Sequence, residues 1–264
     1  GISSSAALEC GLAKGLNTLF DLGVSDMDLI KISRMAEHNF VGNKCGVMDQ
    51  FAVVMGQYKK LILLNCESLE YRLIDADFSP YKIVLLNSNV SHNLVSSEYN
   101  VRVSECEKAL GTIQKKHPEY TFLADVPETV VESLKEKMPK KVYQRALYVS
   151  QENTRTLKAA ELIQNGEIHK FGELMYKTHQ GLSKYYEVSC PELNFLVDLT
   201  QNIPQVIGSR MMGGGFGGCT ISLVKEDFVN PFMDLAKKMY KKKFNIALSP
   251  ILVEISNGVE ITNQ

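Results

Sequence analysis

Three stretches of this chain carry residues whose types and spacing suit the handling of phosphate, and they lie far apart in sequence. The first is Ile2-Ser3-Ser4-Ser5-Ala6, a serine cluster directly ahead of an Ala- and Leu-rich run. The opening N–H groups of a helix lack intrahelical partners, and the helix dipole puts partial positive charge there, so small residues at that point make an anion site. The same serines also read as ordinary N-caps, and on this segment alone both readings stand. A Walker loop is excluded here, because the Gly-Lys-Ser/Thr ending is absent. The second stretch is Met211-Met212-Gly213-Gly214-Gly215-Phe216-Gly217-Gly218-Cys219, with five glycines in six positions between apolar segments. Its glycines permit positive φ and a close backbone approach to a ligand; a flexible turn between strands is the blander reading, which the central Phe216 between two apolar segments disfavours. The third is the pair Glu37 and Asp49, twelve residues apart. A magnesium nucleotide needs oxygen ligands, and phosphoryl transfer to an alcohol gains from a carboxylate at that hydroxyl. The bland alternatives are an exposed helical Glu37 and an Asp49 that caps a short helix after Met48.

Other reactive side chains add little. His38, His92, His117, His169 and His179 show no metal-ligand spacing and read as hydrogen-bonding residues. The six cysteines are spread singly, without CxxC, and read as reduced thiols of a cytoplasmic protein. Lys237, Lys238, Lys241, Lys242 and Lys243 form one basic helix face, which reads as solvated surface.

The elements that must position these residues follow from periodicity. A helix is expected over Ser3 to Phe20, with Leu8, Leu12, Leu16 and Leu19 at helical spacing, and a second from Ser25-Asp26 to a stop at Gly42. After a loop over Asn43 to Val47, Met48 to Met55 is compact and apolar. Leu61 to Cys66, Tyr71 to Ile74 and Lys82 to Ser88 read as strands, with an inter-domain joint over Asp75 to Pro80. Helices are expected over Ser96 to His117, Glu128 to Lys137, Lys141 to Gln164, Glu167 to Tyr186 and Pro191 to Gln201. Strands over Gln205 to Met212, Cys219 to Val224 and Ile251 to Ile255 follow, with a helix over Val229 to Lys243. This order is α+β, not strict βαβ alternation.

At 264 residues and 45% hydrophobic content the chain can bury one or two cores, and two domains are expected. A formal net charge of -1 recommends neither nucleic acid nor an anionic membrane as partner, so any phosphate affinity is local. The apolar runs are far too short to span a bilayer.

In order and spacing, these segments resemble the galactokinase branch of the GHMP small-molecule kinases over essentially the whole chain. Ile2 to Glu9 resembles the family's second motif, a phosphate-binding loop-to-helix. Ala36-Glu37-His38 with Cys45 to Phe51 resembles the segment bearing its metal-binding Glu and catalytic Asp, and Gly213 to Cys219 its glycine-rich third motif. Asn87 to His92 with Ser96 to Arg102 resembles the segment that supplies a sugar-contacting tyrosine. The wording Cys45-Gly46-Val47-Met48-Asp49 favours galactokinases over N-acetylgalactosamine kinases.

The resemblance implies a truncated N-terminal part like domain 2 of ribosomal protein S5 over residues 1–77, belonging to the ATP-binding domain. A ferredoxin-like GHMP kinase C-terminal domain with helical insertions would follow over 78–264. It implies ATP-dependent phosphorylation of the anomeric hydroxyl of galactose, in the Leloir pathway of galactose metabolism, by a cytoplasmic monomer using Mg²⁺. Asp49 would act on the sugar hydroxyl and Tyr99 would contact the sugar. Ser4 and Glu37 would hold the metal, Ser3, Ser5 and Ala6 would meet phosphate, and Gly213, Gly214 and Gly215 would support the nucleotide. The family's first motif, with its assisting arginine, has no counterpart here, so an incomplete site, exposed core and little activity are expected of this stretch alone. A galactokinase-like transcriptional sensor that binds sugar and ATP without catalysis is the alternative, together with kinases for other sugars such as N-acetylgalactosamine.

Overall fold

The computed structural model of the chain describes residues 2–42, 45–91 and 95–262, with residues 91 and 95–97 described by their backbone alone. The chain divides into two compact units, Gly1–Asp77 with Glu254–Gln264, and Phe78–Val253. Among the described residues, no helix is long and apolar enough to cross a membrane.

The first unit contains α1 (Ser4–Leu19), α2 (Asp26–Ala36), a π-helical turn over Glu37–Val41, α3 (Met48–Met55) and the antiparallel pair β1 (Lys60–Leu64) and β2 (Tyr71–Asp75). Ser25 starts α2 as its sequence promises, accepting the Asp28 N–H on its hydroxyl at 3.2 Å, with Asp26 and Asp28 set against the positive helix end. The helix stops at Gly42 with φ 76°, but it leaves α-geometry at Glu37. A π turn inserts a residue into the ladder and re-aims the side chains on it, and no apolar spacing in the sequence announces it. Cys10, Ile30, Val47, Phe51 and Val54 form the core, and Phe51 meets Tyr71 edge-on at 5.1 Å. The tail folds back here: Gly258 donates its N–H to the Gly56 carbonyl at 2.8 Å, and Val259 donates to Val53 at 2.7 Å. The Leu stripe of α1 faces outward instead, Leu8 and Leu19 being 73% and 74% exposed.

The second unit runs β3 (Tyr81–Ser91), α4 (Val95–Gln114), α5 (Glu128–Ser133), α6 (Lys140–Gln164), α7 (Ile168–Lys184), α8 (Pro191–Thr200), β4 (Val206–Met211), β5 (Gly217–Lys225), α9 (Val229–Phe244) and β6 (Ser249–Val253). Its four strands pair antiparallel in the order β4-β5-β3-β6. That order, with one helical crossover between β3 and β4 and another between β5 and β6, is the ferredoxin-like βαββαβ arrangement. The α+β class and the ferredoxin-like C-terminal arrangement expected from the sequence are therefore present. Val84 and Leu86 of β3 pack against Leu196 of α8 and Phe232, Ala236 and Tyr240 of α9, each large side chain contributing about 1.5–3 kcal/mol by burial. The inserted helices have their own core, with Ala109 and Ile113 of α4 against Val131, Leu134, Val142 and Ala146. The helix expected through Lys137 ends at Ser133, where the chain turns to bury Leu134 and resumes as a 3₁₀ turn over Lys135–Lys137.

Candidate active site

At the head of α1, Ser3 occupies the N-cap position in the left-handed region, φ 50° and ψ 40°, and its side chain makes no capping hydrogen bond. A serine caps from extended backbone, so the capping reading fails for Ser3. Non-glycine residues held at positive φ are strained, and such strain concentrates at ligand sites. The first bond of the ladder runs from the Ala7 N–H to the Ser3 carbonyl at 3.0 Å, leaving the N–H groups of Ser4, Ser5 and Ala6 ahead of it. Ser4 and Ser5 are exposed, and Ala6 is buried.

Glu37 lies in the π turn with 4% of its surface exposed, which overturns the reading of an exposed helical glutamate. Among the described residues no hydrogen bond or ion pair reaches its carboxylate. Its charge is felt on two sides. Burial first, and the Glu37 charge second, raise the Glu9 carboxyl above the usual carboxylate range, and one buried Glu9 oxygen has no partner among the described residues. Burial raises the Cys45 thiol; the Gln50 amide and Arg34 counter this, while the carboxylates of both Glu37 and Asp49 add to it. The charges of both acids, twelve residues apart in sequence, thus act electrostatically on the one thiol.

Asp49 is half-buried in the first turn of α3, whose N-cap position is Val47 without a side-chain cap. It is not the capping residue the bland reading proposed. The approach to α3 is held from the preceding helix: His38 donates from Nε2 to the Cys45 carbonyl at 2.8 Å, and Arg34 donates from Nε to the same oxygen at 3.5 Å. Residues 43 and 44 of the intervening loop lie outside the described residues. No group of three or more metal-ligating side chains is present among the described residues. Carboxylate and hydroxyl oxygens are the donors a small hard cation takes, and the residues present include both kinds, in the buried Glu37 carboxylate and the exposed Ser4 at the start of α1.

In the second unit the glycine-rich stretch is a pinned loop and not a flexible turn. Gly213, Gly215, Gly217 and Gly218 have φ of 71°, 88°, 137° and 81°, and Phe216 shares the left-handed region at 58°. Met212 donates its N–H to the Cys219 carbonyl at 3.1 Å, Phe216 to Val188 at 2.7 Å, and the Ser88 hydroxyl donates to Gly218 at 2.8 Å. A Cβ on Gly215 would overlap the Val188 carbonyl, whereas one on Gly214 would meet only the Tyr99 ring, at 3.9 Å. Tyr99, half-buried on α4, therefore flanks this loop. His92, in the segment before it, lies outside the described residues.

The sequence did not single out His179 or Glu9. His179 is buried and accepts the Met211 N–H on Nδ1 at 3.2 Å, and burial lowers its pKa to about 4. It also lines a concavity of about 640 Å³ between α7 and α8 that contains none of the expected site residues. Glu9 sits in the helical run behind the serines, where position alone marks it as one more exposed or half-buried acid.

Comparison with known proteins adds to this geometry. Residues 1–57 match the family profile of the GHMP kinases N terminal domain, and residues 159–230 that of the GHMP kinases C terminal. The chain is 41% identical over 264 residues to a galactokinase of Clostridium acetobutylicum, covering 100% of this chain and 68% of that protein. It is 39% identical over 260 residues to a galactokinase of Thermotoga maritima, covering 98% of this chain and 72% of the relative. The chain thus spans about two thirds of the length of the curated relatives it matches. Among solved structures, Lactococcus lactis galactokinase complexed with galactose superposes with a TM-score of 0.93 at 32% identity, over 97% of this chain and 66% of that one. Mevalonate kinase of L. major, with a TM-score of 0.63 and 17% identity over 98% of this chain and 67% of its own, shares the fold.

Proposed function

The chain belongs to the galactokinase family of the GHMP kinases, which use ATP to phosphorylate a small-molecule substrate, and from that premise we propose that its protein converts galactose and ATP to galactose 1-phosphate and ADP. The observation that carries the reading is the buried Glu37 carboxylate in the π turn, in the same unit as the half-buried Asp49 of α3 and the opening N–H groups of α1.

Each residue then has a chemical task. Asp49 orients the anomeric hydroxyl and takes its proton as the sugar oxygen bonds to the γ-phosphorus and the bond from that phosphorus to the ADP oxygen breaks. The N–H groups of Ser4, Ser5 and Ala6, with Ser3 shaping the turn, meet phosphate oxygens with the dipole of α1 behind them. Ser4 and Glu37 would hold Mg²⁺, which supplies neutralisation of phosphate charge. In the second unit Gly213, Gly214 and Gly215 support the nucleotide and Tyr99 contacts the sugar. Residues 1–77, joined by the returning tail from Glu254, form the ATP-binding N-terminal part, and residues 78–253 the C-terminal domain. The protein works as a monomer in the cytoplasm, which sedimentation and cell fractionation test.

The deciding experiment supplies the complete gene product with ATP, Mg²⁺ and galactose and follows ADP release together with the ³¹P signal of the sugar phosphate. Stoichiometric galactose 1-phosphate is expected. Binding of both ligands without product would replace the kinase with a sugar sensor, and preferred turnover of N-acetylgalactosamine would reassign the substrate.

A further inference from the structure

Behind the glycine loop lies a strap, Tyr185 to Val188, that links α7 to α8 and carries the carbonyl on which the loop rests. Val188 accepts the Phe216 N–H at 2.7 Å, and its oxygen occupies the space that a Cβ on Gly215 would need. The strap's other side is gripped by two arginines. Arg102 of α4, 7% exposed, donates from Nε to the Tyr186 carbonyl at 2.8 Å and from a terminal nitrogen to the Glu187 carbonyl at 2.9 Å. Arg145 of α6, fully buried, donates to the Tyr185 carbonyl and pairs with the Glu187 carboxylate at 2.6 Å. Glu105 joins the two arginines, at 3.3 Å from Arg102 and 2.9 Å from Arg145.

Arg102 also reaches the loop itself, its guanidinium lying 5.9 Å from the centre of the Phe216 ring. It stands three residues after Tyr99 on the same helix, and Tyr99 flanks Gly214. One planar fork therefore touches the strap and the loop while sharing a helix with the tyrosine, which a point-charge ammonium cannot reproduce. A salt bridge serving stability alone would need none of the carbonyl contacts.

We propose that Arg102, backed by Arg145, is a positioning residue that sets the glycine loop and the Tyr99 helix in register through the Tyr185–Val188 strap. This rests on the reading of the loop as nucleotide-supporting and of Tyr99 as sugar-contacting. The test is Arg102→Lys in the complete gene product, read by steady-state kinetics for ATP and galactose, by thermal midpoint, and by amide hydrogen exchange over residues 212–219. Lysine keeps a charge beside Glu105 but loses the two-carbonyl fork. The expected result is a kcat about tenfold or more below wild type, a raised KM for ATP, and a thermal midpoint within about 5–10 °C of wild type. Loop amides should exchange about tenfold faster, as for a lost net hydrogen bond or two. In a double-mutant cycle with Gly215→Ala, the losses should be less than multiplicative, because both changes break one contact.

Unchanged turnover per folded molecule, or unchanged loop exchange, overturns the proposal. If wild type makes no galactose 1-phosphate, the kinase reading fails, and the exchange measurement alone decides on the strap. Should Arg102→Lys not fold, Gly215→Ala attacks the same contact from the loop side. Faster exchange over residues 185–188 in that variant upholds the coupling, and unaltered exchange refutes it.

Discussion

A carboxylate suits proton acceptance only where its position is determined, and Asp49 owes its position to its neighbours. Arg34 and His38 hold the Cys45 carbonyl ahead of α3, so the first turn that carries Asp49 starts from a fixed point. Replacing Asp49 by Asn preserves size and removes the charge. The expected outcome is a kcat lower by about 10²–10⁴, the scale of a lost general base, with the affinity for ATP little changed. A coupled ADP assay with separate ATP titration checks this, and wild-type turnover in Asp49→Asn removes the residue from the reaction. Glu37 is the companion case: its spacing from Asp49 was visible in the sequence, but its burial depends on the π turn, which only the folded backbone reveals.

Among the elements, α7 and β4 approach more closely than side chains allow. A Cβ on Gly172 of α7 would collide with the Ile207 carbonyl of β4, and Gly208 is equally hemmed in by Gly172. Gly172→Ala is expected to destabilise the protein by about 1–3 kcal/mol, the range for overpacking, seen as a lower urea midpoint with the slope retained. A midpoint equal to wild type would show that the helix can lift off its strand. His179 ties the same two elements together, since its Nδ1 must stay unprotonated to accept the Met211 N–H. Its pKa falls from 6.5 to about 4 on folding, mainly by burial, with Asn194 and Asp198 opposing and Arg210 reinforcing. Below pH 6.5 the unfolded chain binds the extra proton, so stability is full above that value and is lost as pH falls toward 4. The loss from this group is about 3 kcal/mol at most. Chemical denaturation at pH 7 and pH 4.5 should show a larger drop for wild type than for His179→Gln, whose amide oxygen accepts the same N–H at any pH. Equal drops would mean that His179 is protonated in the fold.

At the scale of the whole molecule, the 264-residue chain presents an apolar stripe along α1, with Leu8, Leu12, Leu16 and Leu19 between 41% and 74% exposed. Contiguous apolar surface drives association. Light scattering of this chain is expected to rise with concentration, and Leu8→Lys with Leu19→Lys should reduce it while leaving the unfolding midpoint in place. Scattering indifferent to the substitutions would assign association to another surface. The outward stripe also marks where sequence reasoning stops. Apolar spacing and turn residues were enough to set the order and type of nearly every element, because these are local properties: Ser25 starts α2, Gly42 ends its run, and short apolar runs between polar turns mark β3 and β5. The family motifs likewise point to Asp49, Glu37 and the glycine loop, whose residue types suit phosphate and proton chemistry. Periodicity reports that a face is apolar, however, and not what covers it. It is equally silent on the return of residues 254–262 to the first unit, on the left-handed Ser3, and on the two arginines behind the strap. Each of those depends on groups distant in sequence competing for one space or one hydrogen bond, and that competition is settled only when the chain has folded.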